Sequence, residues 1–465
     1  IIDNVGRLAM SLKTVSGSYS VTEGTVLPNY NRGMNVLGFD RGFNAPGVGF
    51  AFGLQEPGTD YFDRAMREGW TLQGTETLFI SGNFSKTYSE NLNLRASFQP
   101  IKDLRIELTA NRTYSENTSR YYIWNDTLSG GPGYDFGPTQ INGSFSMSFI
   151  SWKTAFVKDD EDTYRNDAFD DFLANRSIIS QRLGAKNEYS RTVNPDSLGV
   201  LYADGYSGTS QEVLINSFIA AYSGSDANSS SISDFVGSLP LPNWGITYDG
   251  LSKLDFFKRY FRSFTIGHRY RSTFNVGSFT TNPFFDETDP EARFAQGDFI
   301  SQRQVASVSI SEQFSPLMNI DMTWNNSLLT RLEYKKDRNM SLSLNNNQLT
   351  EVKGSEIVIG LGYRLKNVPF PFSKSTKKKV SDLDMRADFS IRNNRTIIRK
   401  IVEEQNELTA GQRIFSIKFT ADYVLSSRLN IRAFYDRIMN TPFISSTFPT
   451  VNTNAGISLR FTLSQ

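Results

Sequence analysis

Cysteine is absent from the 465 residues, and His268 is the only histidine. The lack of cysteine excludes disulfide bonds and thiolate metal sites, and a single histidine leaves no ordinary zinc site. Long hydrophobic runs are also missing, because no stretch of about eighteen apolar residues occurs, so the sequence predicts no transmembrane helix. The net charge is +1, which argues neither for a nucleic-acid groove nor for an acidic substrate.

Strict alternation of apolar and polar residues marks the C-terminal stretch 383–465. Successive side chains of a strand point to opposite faces, so each segment has one apolar face and one polar, often charged, face. Each segment is about ten residues long, which is the length that a tilted strand needs to cross a bilayer. The stretch therefore predicts an all-β fold, a transmembrane antiparallel β-barrel. The apolar positions are Leu383, Met385, Ala387, Phe389, Ile391, Phe415, Ile417, Phe419, Ala421, Tyr423, Leu429, Ile431, Ala433, Ala455, Ile457, Leu459, Phe461 and Leu463.

The alternation divides the chain into three regions. Residues 1–151 are predicted to be barrel strands with loops, and residues 262–465 are predicted to be C-terminal barrel strands. Residues 152–261 break the rhythm and predict an insertion that contains helices. Roughly thirteen or fourteen strands are expected in all.

Local patterns give more detailed predictions for individual segments. Helices are expected at 59–69, 163–183 and 211–222, and a short strand at 47–54. The polar or Gly-rich segments expected to be loops or turns are 99–103, 115–142, 280–302, 315–326 and 395–411.

The alternating direction of barrel strands predicts which connections share an end. If the tight turn 99–103 is periplasmic, the long loops fall outside, since short turns favour the periplasm. The same count places the insertion 152–261 at the periplasmic end, where it could enter the lumen or dock a partner.

Few residues suggest catalysis or metal binding. His268 lies at an apolar position of a strand and lacks a Gly-x-Ser-x-Gly motif nearby, so a wall position is favoured over a hydrolase triad. The acidic cluster Asp159–Asp162 with Asp167, Asp170 and Asp171 favours a solvated helix end, and calcium is the alternative.

A solvated loop is also expected for 286–289, and Lys374–Lys379 is expected to lie in water or near anionic lipid head groups. No catalytic, cofactor-binding or metal-binding residues are assigned, and no enzymatic activity is expected.

Charged residues occupy the polar positions of the C-terminal strands and favour a water-filled lumen. A soluble β-sandwich is the alternative, but sandwich strands are usually shorter. These charged residues are Arg386, Asp388, Arg392, Lys418, Asp422, Arg432 and Arg460.

Three stretches have a wording typical of one known family, and they are 4–12 continuing to 24–28, Trp324–Tyr334 with Asn347–Glu351, and Ile357–Tyr363 with the final strands. These stretches resemble the SprA (Sov) family, the outer-membrane translocons of the type IX secretion system. The resemblance implies the C-terminal part of a very large single-chain barrel that passes folded secreted proteins to the cell surface. It also implies a role in gliding motility.

The resemblance further implies partners that the residues themselves do not indicate. They are outer-membrane lipid, secreted protein cargo, a plug protein, a PorV-type shuttle barrel and the remainder of the barrel upstream of residue 1. Residues 1–12 do not form a signal peptide, because Asp3, Asn4 and Arg7 interrupt the apolar run, so either a mature chain or a C-terminal piece is expected. An outer-membrane solute channel or nutrient importer is the alternative function, and a hydrolase using His268 is a third.

Overall fold

The structure is a computed structural model, and it describes residues 11–74, 80–125, 133–286, 288–369, 380–426, 428–444 and 447–462. Antiparallel β-sheet dominates these residues, which confirms the predicted all-β class. No helix in the described ranges is long and apolar enough to span a membrane.

Seventeen strands are formed by the described residues, and fifteen of them belong to one sheet. The order along the sheet is β1-β2-β3-β5-β9-β11-β12-β13-β14-β15-β16-β17, while β4 pairs with β3, β10 with β9, and β8 with both β3 and β9. Strands β6 and β7 form a separate pair. The strands are β1 (Leu12–Val26), β2 (Ser81–Ile101), β3 (Leu104–Asn125), β4 (Gly133–Phe136), β5 (Gln140–Ser148), β6 (Val193–Pro195), β7 (Leu201–Ala203), β8 (Asn243–Tyr248), β9 (Phe261–Thr281), β10 (Arg303–Val305), β11 (Ser307–Trp324), β12 (Leu328–Ser343), β13 (Gln348–Pro369), β14 (Val380–Lys400), β15 (Gln405–Ser426), β16 (Leu429–Pro442) and β17 (Thr450–Phe461).

In the described ranges, six α-helices lie in the connections between strands. They are α1 (Val48–Ala51), α2 (Asp60–Arg67), α3 (Asp167–Lys186), α4 (Gln211–Ser223), α5 (Ile232–Gly237) and α6 (Asp255–Lys258). Helix α2 confirms the helix predicted at 59–69, and its four expected apolar residues, Tyr61, Phe62, Ala65 and Met66, are buried. Helices α3 and α4 confirm the two predicted in the insertion. The strand predicted at 47–54 is wrong, because this Gly-rich segment forms the single helical turn α1.

Several predicted loops are in fact parts of long strands. Residues 115–125 continue β3 and pair with β2 as far as Ser81, and 315–324 continue β11 past a register shift between Phe314 and Met318. Similarly, β14 extends to Lys400 and β15 begins at Gln405, so only a four-residue turn remains of the loop predicted at 395–411. The predictions failed at 115–125 and 395–400 because these segments lack clean alternation, whereas backbone pairing with the neighbouring strand does not require it. Residues 318–324 do alternate, and there the continuing pattern was overlooked.

The two ends of the strands carry different connections. The end called the turn end here carries the short turns after β2, β11 and β15, and β17 also finishes there at Phe461. The opposite end, called the helix end, carries residues 27–80, 282–302 and the turn 401–404. This grouping matches the strand-count prediction for the connections it covered, which are 99–103, 280–302, 315–326, 395–411 and the chain end.

The insertion interrupts one strand of the sheet at its middle. The pairing of β5 with β3 ends at Met147 opposite Arg112, and the pairing of β8 with the same strand begins at Asn243 opposite Thr109. The Leu241 amide donates a hydrogen bond to the Ser148 carbonyl at 3.2 Å, so the two half-strands lie almost end to end. Both halves also pair with β9, and together they fill one position in the sheet.

Helices α3 and α4 of this insertion pack at the helix end, so the prediction that the insertion lies at the end of the 99–103 turn is wrong for them, whereas the short helix α6 does lie at the turn end, just before β9. The strand count assumed that the insertion follows a complete strand. The chain instead leaves the sheet halfway along and re-enters at β8, which lies inside the range 152–261 assigned to the insertion.

Candidate functional site

The polar face of the large sheet carries many charged side chains, and several of them form ion pairs across strands. The shortest pairs are Arg364 with Asp384 at 2.5 Å, Arg432 with Asp422 at 2.6 Å and Arg331 with Asp321 at 2.8 Å. Such exposed pairs contribute only about 0–1 kcal/mol each to stability, so their main effect is to make the face hydrophilic.

The charged residues predicted from the C-terminal alternation all share this face. Asp388 lies opposite Lys418, which in turn lies opposite Asp436, and Arg392 is 3.7 Å from Asp337. Arg386 lies opposite Thr420, and Arg460 lies opposite Asn430. The period-2 pattern therefore placed these side chains correctly.

The other face of the sheet carries an apolar belt at the turn end. Directly paired residues share a face, and pairing connects Ile359 of β13 with Leu332, Phe389 and, through Phe389, Ile417. Large apolar belt residues are exposed, among them Ile357, which is 52% exposed. The belt in the best-paired strands consists of Leu332, Tyr334, Ile357, Ile359, Leu361, Tyr363, Leu383, Met385, Ala387, Phe389, Ile391, Phe415, Ile417, Phe419, Ala421, Ile431 and Ala433.

The inserted helices cover this same face beyond the belt. In β13, which pairs with β12 without a register shift, Leu349, Glu351 and Lys353 continue the phase of Ile357 and Ile359. Leu349 is fully buried in the main core, which joins the helices to the sheet. The remaining core members from the sheet are Phe145, Met147, Phe274, Val276, Phe279, Val308, Ile310, Met340 and Leu342, and helices α3 and α4 contribute Ala168, Phe169, Phe172, Leu173, Leu214, Ile215, Phe218, Ile219, Ala221 and Tyr222.

Buried charges connect the first segment of the insertion to the sheet. The guanidinium of Arg399, which is fully buried, donates to Glu351 at 2.6 Å and to Asp159 at 2.9 Å. It also donates to the Tyr164 carbonyl, and Lys353 donates to both carboxylate oxygens of Asp159 at 2.8 Å. A buried charge is tolerated only when paired and hydrogen-bonded, as it is here.

A second buried ion pair lies beside the point where the chain leaves the sheet. Glu312 accepts hydrogen bonds from Ser151 at 2.7 Å and Tyr270 at 2.9 Å, and it pairs with Arg338 at 2.9 Å. Arg338 also donates to the Thr154 carbonyl at 2.8 Å. The two networks fix the segment 151–166 against β9, β11, β12, β13 and β14.

These networks were missed in the sequence, although a signal was present. Glu312, Arg338, Glu351 and Arg399 occupy positions in phase with buried apolar residues of their strands. A charge at such a position predicts a buried partner from elsewhere in the chain, because an unpaired charge there is costly.

The predicted acidic cluster is divided between two environments. Asp159 belongs to the buried network: burial opposes its ionisation, but Lys353, Asn166 and Arg399 outweigh burial and lower its pKa below the ordinary value. Asp160 instead accepts hydrogen bonds from the Thr163 amide and hydroxyl, which lower its pKa in an exposed turn. Asp170 pairs with Arg165 at 2.6 Å near the start of α3, as expected for a solvated helix end.

The other candidate residues have structural roles or lie outside the described residues. Nδ1 of His268 is 2.7 Å from the Leu317 carbonyl oxygen, and the ring lies near Trp244 and Phe314. Asp286 accepts from the Thr288 amide at 2.9 Å, while Glu287 and Lys374–Lys379 lie outside the described residues. In the described part of the chain, no group of three or more His, Asp or Glu side chains could hold a metal ion.

Comparison with known proteins adds no assignment. No family model matches the chain, and no curated protein matches it. The two-faced sheet and its docked helices are therefore the features that bear on function.

Proposed function

We propose that this chain forms part of the wall of an outer-membrane β-barrel that conducts folded secreted proteins to the cell surface. The apolar belt faces lipid in this proposal, and the polar face lines a water-filled lumen. The chain is not expected to act as an enzyme.

The belt is the observation that carries the proposal. Leu383–Ile391 holds five apolar residues in phase over nine positions, which matches the length of a tilted strand crossing a bilayer. The belt continues at the same level through neighbouring strands, while the opposite face is charged. A soluble β-sandwich would bury the apolar face against a second sheet, yet in the described residues the only other sheet is the pair β6–β7.

The connections support an orientation for the proposed barrel. The long connections 27–80 and 282–302 lie at the helix end, as the longer extracellular loops of outer-membrane barrels would, while four-residue turns after β12 and β14 lie at the same end. The helices cover the belt face, so in this orientation they lie outside the lumen, above the outer leaflet of the membrane.

Protein conduction and the partners rest on the family resemblance in the sequence. The two edge strands, β1 and β17, are not paired with each other in the described residues, and open sheet edges are not tolerated in hydrocarbon. Further strands would close the wall, and the resemblance assigns them to chain upstream of residue 1. A plug protein and a PorV-type shuttle barrel are the proposed neighbours, and a solute channel or nutrient importer remains the alternative.

Photo-crosslinking separates protein conduction from solute transport. A photoreactive phenylalanine analogue at Lys418 faces the proposed lumen, and the same analogue at neighbouring Phe419 faces the proposed lipid. We expect the Lys418 position to capture a folded reporter that the cell is secreting, and the Phe419 position not to capture it.

The controls decide between the alternatives. A reporter without its secretion signal should not be captured from either position. If the Lys418 position never captures the secreted reporter while the barrel assembles normally, the solute-channel alternative is favoured. Equal capture from both positions would contradict the assignment of the two faces.

A further inference from the structure

A cluster of cations without ion-pair partners lies on the polar face near the turn end. Five cationic side chains and one carboxylate surround a cavity of about 540 Å³. They are Lys13 of β1, Arg95 of β2, Arg105 and Glu107 of β3, and Arg269 and Arg271 of β9. This group is called the cationic cluster below.

The arrangement follows from strand register. The Glu107 and Arg269 backbones both lie opposite Gly245 of β8, and Arg105 lies opposite Thr247. The β8 residues on this face have short side chains. The long side chains of β3 and β9 therefore surround a depression whose base is formed by β8. A Cβ placed on Gly245 would be 3.5 Å from Nε of Arg269, so this guanidinium lies close to the β8 backbone at Gly245.

The number of unpaired cations around one cavity distinguishes the cationic cluster from the rest of the polar face, where Arg386 and Lys418 also form no ion pair with a described residue but Lys418 lies opposite Asp388 and Asp436. Elsewhere Arg331, Arg364 and Arg432 each contact a carboxylate. In contrast, none of the five cations in the cluster forms an ion pair or a side-chain hydrogen bond with any described residue, and Glu107 is the only carboxylate lining the cavity. Five like charges in one cavity repel each other, and an anion relieves that repulsion.

We propose that the cationic cluster binds a multivalent phosphate group from the aqueous phase. Four of its five cations are arginines, whose planar guanidinium groups bind phosphate oxygens in pairs. The cavity volume falls within the range of about 300–1,000 Å³ that is usual for small-ligand sites. The polar face surrounds the site, so a soluble phosphate compound fits better than a lipid head group. This proposal does not depend on what the barrel conducts.

Calorimetric titration of the purified full-length protein in detergent with inorganic pyrophosphate tests the site. The double variant Arg269→Gln/Arg271→Gln should bind about ten-fold or more weakly, and Glu107→Gln should bind about three-fold more tightly, because it removes the only carboxylate. Raising the salt concentration should weaken binding to the unmodified protein, since the site is exposed.

Arg331→Gln is the matched control, because Arg331 lies on the same face but is paired with Asp321. It should leave pyrophosphate binding unchanged. The tighter binding expected of Glu107→Gln cannot come from misfolding, so this variant keeps the test decisive if the arginine variant fails to fold. Absence of binding at low salt, equal weakening by Arg331→Gln, or weaker binding by Glu107→Gln would each overturn the proposal.

Discussion

Single buried charges decide how firmly the inserted helices are attached to the sheet. Arg399 is fully buried, and it joins Glu351 of β13 to Asp159 of the insertion. Removing one partner of a buried ion pair leaves the other charge uncompensated, which costs far more than the loss of an exposed pair.

Replacing Arg399 with methionine should lower the free energy of unfolding by about 3–5 kcal/mol. The reason is that Glu351, also fully buried, loses its guanidinium partner. Denaturant unfolding in detergent measures the change. Arg432→Met, which breaks the exposed pair with Asp422, is the control and should cost about 0–1 kcal/mol. Adding Glu351→Leu to Arg399→Met should restore part of the loss, and equal effects of the two methionine variants would contradict the burial argument.

Asp159 should make stability depend on pH in the acidic range. Its pKa in the folded protein is lowered below the ordinary value of about 4, so the unfolded chain binds a proton more readily. The stabilisation relative to Asp159→Asn should therefore be fully present above the ordinary pKa and disappear as pH falls through the lowered one. Unfolding midpoints of both proteins between about pH 3 and 7 measure this difference.

Glu212 is a control for Asp159, because its pKa is shifted in the opposite direction and its effect on stability should change oppositely with pH. Burial is the largest cause of its shift and raises its pKa, so ionisation of Glu212 opposes folding. Glu212→Gln should therefore gain stability relative to the unmodified protein as pH rises. A parallel response of the Asp159→Asn and Glu212→Gln variants would show that the two shifts are assigned wrongly.

At the scale of elements, the insertion is an addition to a sheet that is continuous without it. β5 and β8 pair with β3 and β9 on either side of the break, and Ser148 and Leu241 are hydrogen-bonded to each other. At the turn end, the belt strands β14, β15, β16 and β17 pair with their neighbours in sequence order. Helices α3 and α4 pack at the opposite end of the strands.

Replacing residues 151–240 with a short Gly-Ser linker should leave barrel assembly intact, because Ser148 and Leu241 are already adjacent. The deletion uncovers Phe274, Ile310, Leu342 and other core residues of the sheet, so binding of a hydrophobic dye should increase. Migration of the unheated protein on a gel reports assembly, and dye fluorescence reports the exposed surface. Failure to assemble would mean that the helices are needed to form the wall.

At the scale of the whole molecule, two faces with opposite chemistry run across consecutive strands. The pattern is continuous in the C-terminal half because β12 to β15 pair with few register shifts. A one-residue slip would move every belt side chain to the polar face, so burial of the belt in the proposed membrane would fix the register strongly.

Cysteine labelling should distinguish the two faces, since the chain contains no natural cysteine. Thr420→Cys lies on the polar face and Ala421→Cys, its neighbour, lies in the belt. In intact outer membranes we expect a water-soluble maleimide to label Thr420→Cys and to leave Ala421→Cys largely unlabelled. After solubilisation and denaturation both should react equally. Equal labelling before denaturation would contradict the membrane assignment.

The local period of two by itself determined the all-β class, the belt of the C-terminal strands and the charged face containing Arg386, Lys418 and Arg432. Alternation is a property of each strand alone, so it can be read before any partner is known. Helix α2 could also be predicted from the sequence, because its buried residues recur at helical spacing on one face.

Tertiary structure alone decided which distant segments meet. The break between Ser148 and Asn243, the contact of Asp159 with Arg399 and the cationic cluster all join residues that lie far apart in the chain. Their positions depend on cross-strand register and on where the helices dock. Neither is encoded in the period of any one strand, because pairing is a relation between strands.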